Sequence, residues 1–156
     1  MADRTPPLNT WIVLADSARA RIYRTDASLN ETPEEVRSFE HPESRLKSSE
    51  ITTDDGGRRA ATGGQDGVRH GRTSTADGAH DHEARTFSKE LAEWLDKSRH
   101  LDAFDRIVLA APPTFLGYLR DDLHSATLDA IDVTLVKELT QVPSHGVLEA
   151  VRARIA

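Results

Sequence analysis

The chain has 156 residues, 37% of them hydrophobic, which suits one compact domain with a concentrated core and leaves little for a second. Twenty-six acids against 20 Lys+Arg give a formal charge of -6, which opposes whole-surface attraction to nucleic acid or anionic membrane, and the absence of cysteine excludes a disulfide framework, a thiolate zinc site and a Cys nucleophile. The longest apolar runs are too short to cross a bilayer, and the N-terminus lacks the apolar stretch of a secretory signal, so a cytoplasmic protein with no membrane insertion and no DNA partner is expected.

Trp11-Ile12-Val13-Leu14-Ala15 is continuous and apolar and reads as a strand covered on both faces. Asp16-Ser17 supplies turn chemistry, and Ala18, Ala20 and Ile22 then alternate with Arg19, Arg21 and Tyr23 as a half-exposed strand, giving a hairpin. Val36–Phe39 extends the meander as a third strand. Residues 40–83 contain no aromatic and hold seven of the nine glycines, with His41, His70, His80 and His82. Their scattered aliphatics do not offset an ordering cost of roughly 1–2 kcal/mol per residue, so the stretch reads as a long flexible Gly/Arg/His-rich loop.

Phe87, Leu91, Trp94 and Leu95 share one face of a helix expected from about Glu83 to Arg99. Ile107–Ala111 is a second buried strand, stopped by Pro112-Pro113. A helix opens at Thr114, with Phe115, Leu116, Leu119 and Leu123 inward. Ile131, Val133 and Leu135 mark a fifth strand, and Ser144 is placed to cap a last helix striped by Val147, Leu148, Val151 and Ile155. The expected fold is therefore a single α/β domain over 1–156. It is a mixed five-stranded sheet in the order β-β-β-α-β-α-β-α, a ribonuclease-H-like order, flanked by helices. No Gly-rich phosphate turn follows the first strand, and no cofactor is expected.

The sharpest motif is Gly63-Gly64-Gln65. Arg58, Arg59, Arg69 and Arg72 surround it, and with Asp66 they give a local charge of +3 in a net acidic chain. Adjacent glycines let the main chain approach a ligand closely. The arginines would contact phosphates, and a neutral glutamine can orient water for ester hydrolysis. A bland Gly-rich linker is the competing reading. His70, His80 and His82, with Asp81 and Glu83, have the donor types of a metal site, but His80 and His82 diverge unless the segment is extended. A nuclease would need an acid in mid-strand one, where Ile12 and Val13 stand; Asp16 at its end is expected to serve the turn.

The hairpin Trp11–Tyr23, the Gly/Arg/His loop feeding His82-Glu83-Ala84-Arg85-Thr86-Phe87, the run Ile107–Arg120 and Lys137-Glu138-Leu139-Thr140-Gln141-Val142-Pro143 together resemble the bacterial host attachment proteins, the proteins required for attachment to host cells. That family is similar in fold to the middle domain of archaeal and eukaryotic class-1 release factors. In those factors a Gly-Gly-Gln loop before a long helix promotes peptidyl-tRNA ester hydrolysis. The resemblance implies catalytic roles for Gly63, Gly64 and Gln65 and nucleic-acid contacts from Arg58, Arg59, Arg69 and Arg72, with the ribosome or tRNA as partner. The chain has no codon-reading domain, so ordinary termination is not implied. The alternatives are a non-enzymatic interaction protein tied indirectly to surface attachment or stress, and a metal-dependent hydrolase using His70, His80 and His82. Oligomeric state is not legible in the sequence.

Overall fold

A computed structural model describes residues 9–41 and 66–155, with 66–77 as helical backbone. Strands β1 (Asn9–Ala15), β2 (Arg19–Asp26), β3 (Glu34–Glu40), β4 (Arg106–Ala111) and β5 (Ile131–Val136) form one mixed sheet in the order β3-β2-β1-β4-β5. β2 runs antiparallel to both β1 and β3, whereas β1, β4 and β5 are parallel. This is the five-stranded α/β sheet expected from the alternation of strand and helix patterns. Its two edge strands both carry a bulge, at Val36 opposite Ile22/Tyr23 and at Asp132 opposite Ile107/Val108.

Period-two alternation divides the central strands between two cores. Trp11, Val13, Ile22, Ile107 and Leu109 face one layer of helices. That layer is α1 (Asp66–His100), α2 (Pro113–Asp122) and α3 (Ser125–Ala130), which contribute Phe87, Leu91, Leu95, Phe115, Leu119 and Ala130. On the other face Ile12, Leu14, Tyr23, Val108 and Leu135 meet Leu139 and the last helix, α4 (Val147–Ile155), through Val147 and Val151. Each fully buried Phe or Leu contributes about 1.5–3 kcal/mol. The first core is aromatic at its centre: Trp11 stacks on Trp94 at 5.2 Å and lies 4.8 Å from Phe104. The Trp11 Nε1 is buried there without an acceptor among the described residues, so its N–H is sheltered by rings alone.

Two expectations are corrected. Residues 66–83 are not loop, because α1 begins at Asp66 and runs for 35 residues. The apolar stripe appears only where α1 lies on the sheet. Upstream of Glu83 the helix needs no stripe, since extending an existing helix adds one hydrogen bond per residue fixed. The remainder of the expected loop, 42–65, lies outside the described residues. Ser144, expected as a helix cap, makes no capping hydrogen bond. It opens a 3₁₀ turn (Ser144–Gly146) before α4, and its hydroxyl is engaged across the sheet instead.

Candidate functional site

The carboxyl ends of β1 and β4 point to the side of the sheet where α1 and α2 approach each other, the edge at which open α/β sheets bind ligands. Three side-chain groups assemble there. The first follows from the meander: β3 ends at Glu40, and the next residue, His41, donates its main-chain N–H to the Ala18 carbonyl at 2.7 Å. Its ring packs against Phe87 at 5.5 Å. His41 Nε2 is 2.9 Å from Glu83 Oε2, and Nδ1 is 4.0 Å from Glu90 Oε2. His41 and Glu83 are 9% and 5% exposed. A buried imidazole–carboxylate pair thus joins the residue that leads into 42–65 to the helix that follows that segment.

Upstream of Glu90 on α1, Asp81 and Arg85 stand four residues apart and pair at 2.9 Å. From α2, Tyr118 donates its hydroxyl to Asp81, and the Arg85 guanidinium lies 4.4 Å above the Tyr118 ring. The Tyr118 hydrogen bond, and then Arg85, hold the Asp81 carboxyl below its usual range, while the same bond pushes the Tyr118 phenol up. At neutral pH Asp81 is ionised and Tyr118 protonated, which is the pairing the bond requires.

The third group closes the edge from the far side. Asp16 Oδ1 accepts the N–H groups of Ala18 and Arg19 at 2.8 and 2.9 Å, and Oδ2 accepts the Thr140 hydroxyl at 2.6 Å. Both oxygens are committed to the turn and the β5–α4 connection, as a turn role for Asp16 requires. Ile12 and Val13 stand in mid-β1 with both side chains fully buried, so no acid projects there for two-metal chemistry.

The chain matches the family model of proteins required for attachment to host cells over residues 11–151. It belongs to that family. No curated protein matches it. The family region runs from β1 into α4, so it takes in all three groups and the 42–65 segment between His41 and α1.

Within this family member, Gly63, Gly64 and Gln65, with Arg58 and Arg59, lie outside the described residues. Gln65 immediately precedes Asp66, the first residue of α1. Arg69, His70 and Arg72 fall on the α1 backbone, and their side chains lie outside the description. His80 and His82 are exposed on α1 and point about 200° apart around the axis, at about 100° per residue. Among the described residues no three His, Asp or Glu side chains group as a metal would need, and no helix is long and apolar enough to cross a membrane. His41 and Tyr118 are site residues to which sequence reasoning gave no role, and Asp81 and Glu83 entered it only as donors of metal-site type. Only Asp81 and Arg85 carried a local signal, their four-residue spacing.

Proposed function

We propose that the protein is a single-domain, cytoplasmic, ribosome- or tRNA-associated module resembling a release-factor middle domain, with peptidyl-tRNA ester hydrolysis, as in ribosome rescue, as the reaction its Gly63-Gly64-Gln65 segment serves. The observation that carries this reading is the continuity of α1: the described helix runs unbroken from Asp66, next in sequence to Gln65, into the stretch from Glu83 onward that packs on the sheet. At about 1.5 Å per residue, Asp66–His82 is roughly 26 Å of helix between the motif and its anchor. The four arginines supply phosphate contacts, and the glycines allow close main-chain approach. The sheet order β3-β2-β1-β4-β5, with β2 reversed, supports the ribonuclease-H-like reading on which the likeness to release factors rests.

Co-sedimentation with ribosomes tests the binding half. Association is expected at low ionic strength, with the logarithm of affinity falling against log salt with a slope of about -3 if four arginines each meet a phosphate. Replacing Arg58, Arg59, Arg69 and Arg72 by alanine is expected to abolish it, and unchanged sedimentation overturns the reading. Gln65→Ala tests catalysis separately: the variant still sediments but loses peptidyl-tRNA hydrolysis.

The family description favours a second reading, a non-enzymatic interaction protein linked indirectly to attachment. Affinity capture that returns envelope proteins and no ribosomal proteins or RNA would establish it over the first.

A further inference from the structure

Arg21 is a half-buried cation whose hydrogen-bond acceptors are all neutral. Its Nη1 donates to the Thr140 and Val142 carbonyls, and its Nη2 donates to the Tyr23 hydroxyl and, at 2.9 Å, to Ser144 Oγ. Among the described residues no carboxylate pairs with it. Asp16 and Glu138 meet the Thr140 hydroxyl instead, at 2.6 and 3.5 Å. The Tyr23 hydroxyl, on a ring 1% exposed, sits 3.0 Å from the same Ser144 oxygen. A guanidinium donor and a phenol hydroxyl therefore meet at one serine oxygen, and that serine is exposed, directly after Pro143, in the connection between β5 and α4. Thr140, the other hydroxyl of this connection, is 1% exposed and closed to an enzyme.

We propose that Ser144 is a phosphorylation site whose phosphoryl group is received by Arg21 and Tyr23. In the modification the Ser144 oxygen attacks the γ-phosphorus of a nucleoside triphosphate held by a serine kinase. The new O–P bond forms as the bond from that phosphorus to the β-bridging oxygen breaks. The diphosphate leaves, and the hydroxyl proton passes to the kinase base and then to solvent. The dianion gives Arg21 the counter-charge it lacks: the guanidinium's bond to a neutral oxygen becomes an ion pair, and the phenol gains an ionised acceptor. Residues 140–144, already tied to β2 by Arg21, are thereby locked against it.

The test uses the full-length protein with phosphoserine installed at position 144 during translation. In a ³¹P titration the second ionisation of the phosphate is expected well below the value of about 6 for a solvated phosphoserine. Arg21→Gln is expected to return it to about 6, Arg21→Lys partway, and Tyr23→Phe, which removes only the phenol donor, by a smaller step. The phosphorylated protein is expected to melt a few degrees above the unmodified one. A phosphate titrating at about 6 whatever stands at position 21 overturns the proposal. In protein recovered from its native cells, tryptic fragments spanning 138–152 are expected to carry one phosphoryl mass located on Ser144. Its absence in every growth condition sampled also overturns it.

Discussion

After Glu83, helix α1 turns Phe87, Leu91 and Leu95 onto the sheet, all at most 1% exposed. From Asp66 to His82 the same helix has Val68 as its one branched aliphatic and contains Gly67, Gly71 and Gly78. The hydrogen-bonded backbone is continuous across both halves, but only the second half presents an apolar stripe to a partner. Tertiary packing stabilises Phe87–Leu95. The half before it is glycine-containing and polar in sequence and carries no such stripe.

The largest expected effect comes from breaking the packed half. Leu91→Ala should lower stability by about 2–5 kcal/mol in urea unfolding, since Leu91 is fully buried between α1 and the sheet. A loss below about 1 kcal/mol would mean that α1 is not the lid of this core. Removing the clasp at the boundary of the halves comes next. Glu83→Ala leaves the buried His41 ring without its 2.9 Å hydrogen-bond partner and should cost about 1–3 kcal/mol. A double-mutant cycle with His41→Ala should return most of that as coupling energy. A coupling near zero would assign the cost to packing alone.

Asp81 sharpens the comparison on the less packed side. Its carboxyl is held below the ordinary value of 3.8, first by Tyr118 and then by Arg85. Its contribution is therefore present above about pH 4 and is lost as pH falls through the depressed folded value. Tyr118 is raised from 10.0 by the same bond, so its contribution is present below pH 10 and is lost as pH climbs past its raised folded value. The difference in melting temperature between wild type and Asp81→Asn should be widest between these limits and close at low pH. A difference that does not narrow as pH falls below about 4 would show the carboxylate to be irrelevant. The smallest effect is a gain. Gly78 lies exposed on α1 with nothing within 4 Å of an added Cβ, so Gly78→Ala should stabilise by about 0.5–1 kcal/mol. Destabilisation there would mean the helix is strained at that turn.

What was legible in the sequence follows the same division. The run Trp11–Ala15, the alternation through Ile22 and the stripe from Phe87 to Leu95 each announce the surface they bury, so five strands and their mixed sheet are readable. The start of α1 is not, because Asp66–His82 carries no apolar period. His41, set among loop histidines by its sequence neighbours, gains its meaning from a glutamate 42 positions away. Ser144 looks like a cap because capping is a local rule, yet its partners Arg21 and Tyr23 are some 120 residues upstream. Pairings at that separation are decided by sheet order, which no window of sequence contains.

The bulges at Val36 and Asp132 have a consequence for behaviour in crowded solution. A regular outermost strand offers an incoming chain a straight row of amides and carbonyls, and here both rows are kinked. One of them also carries Glu34, Glu35 and Glu40 along its length. A stray β-segment would have to flatten the kink and approach that negative fringe before gaining a ladder, so fibril-like stacking is opposed at either flank of the sheet.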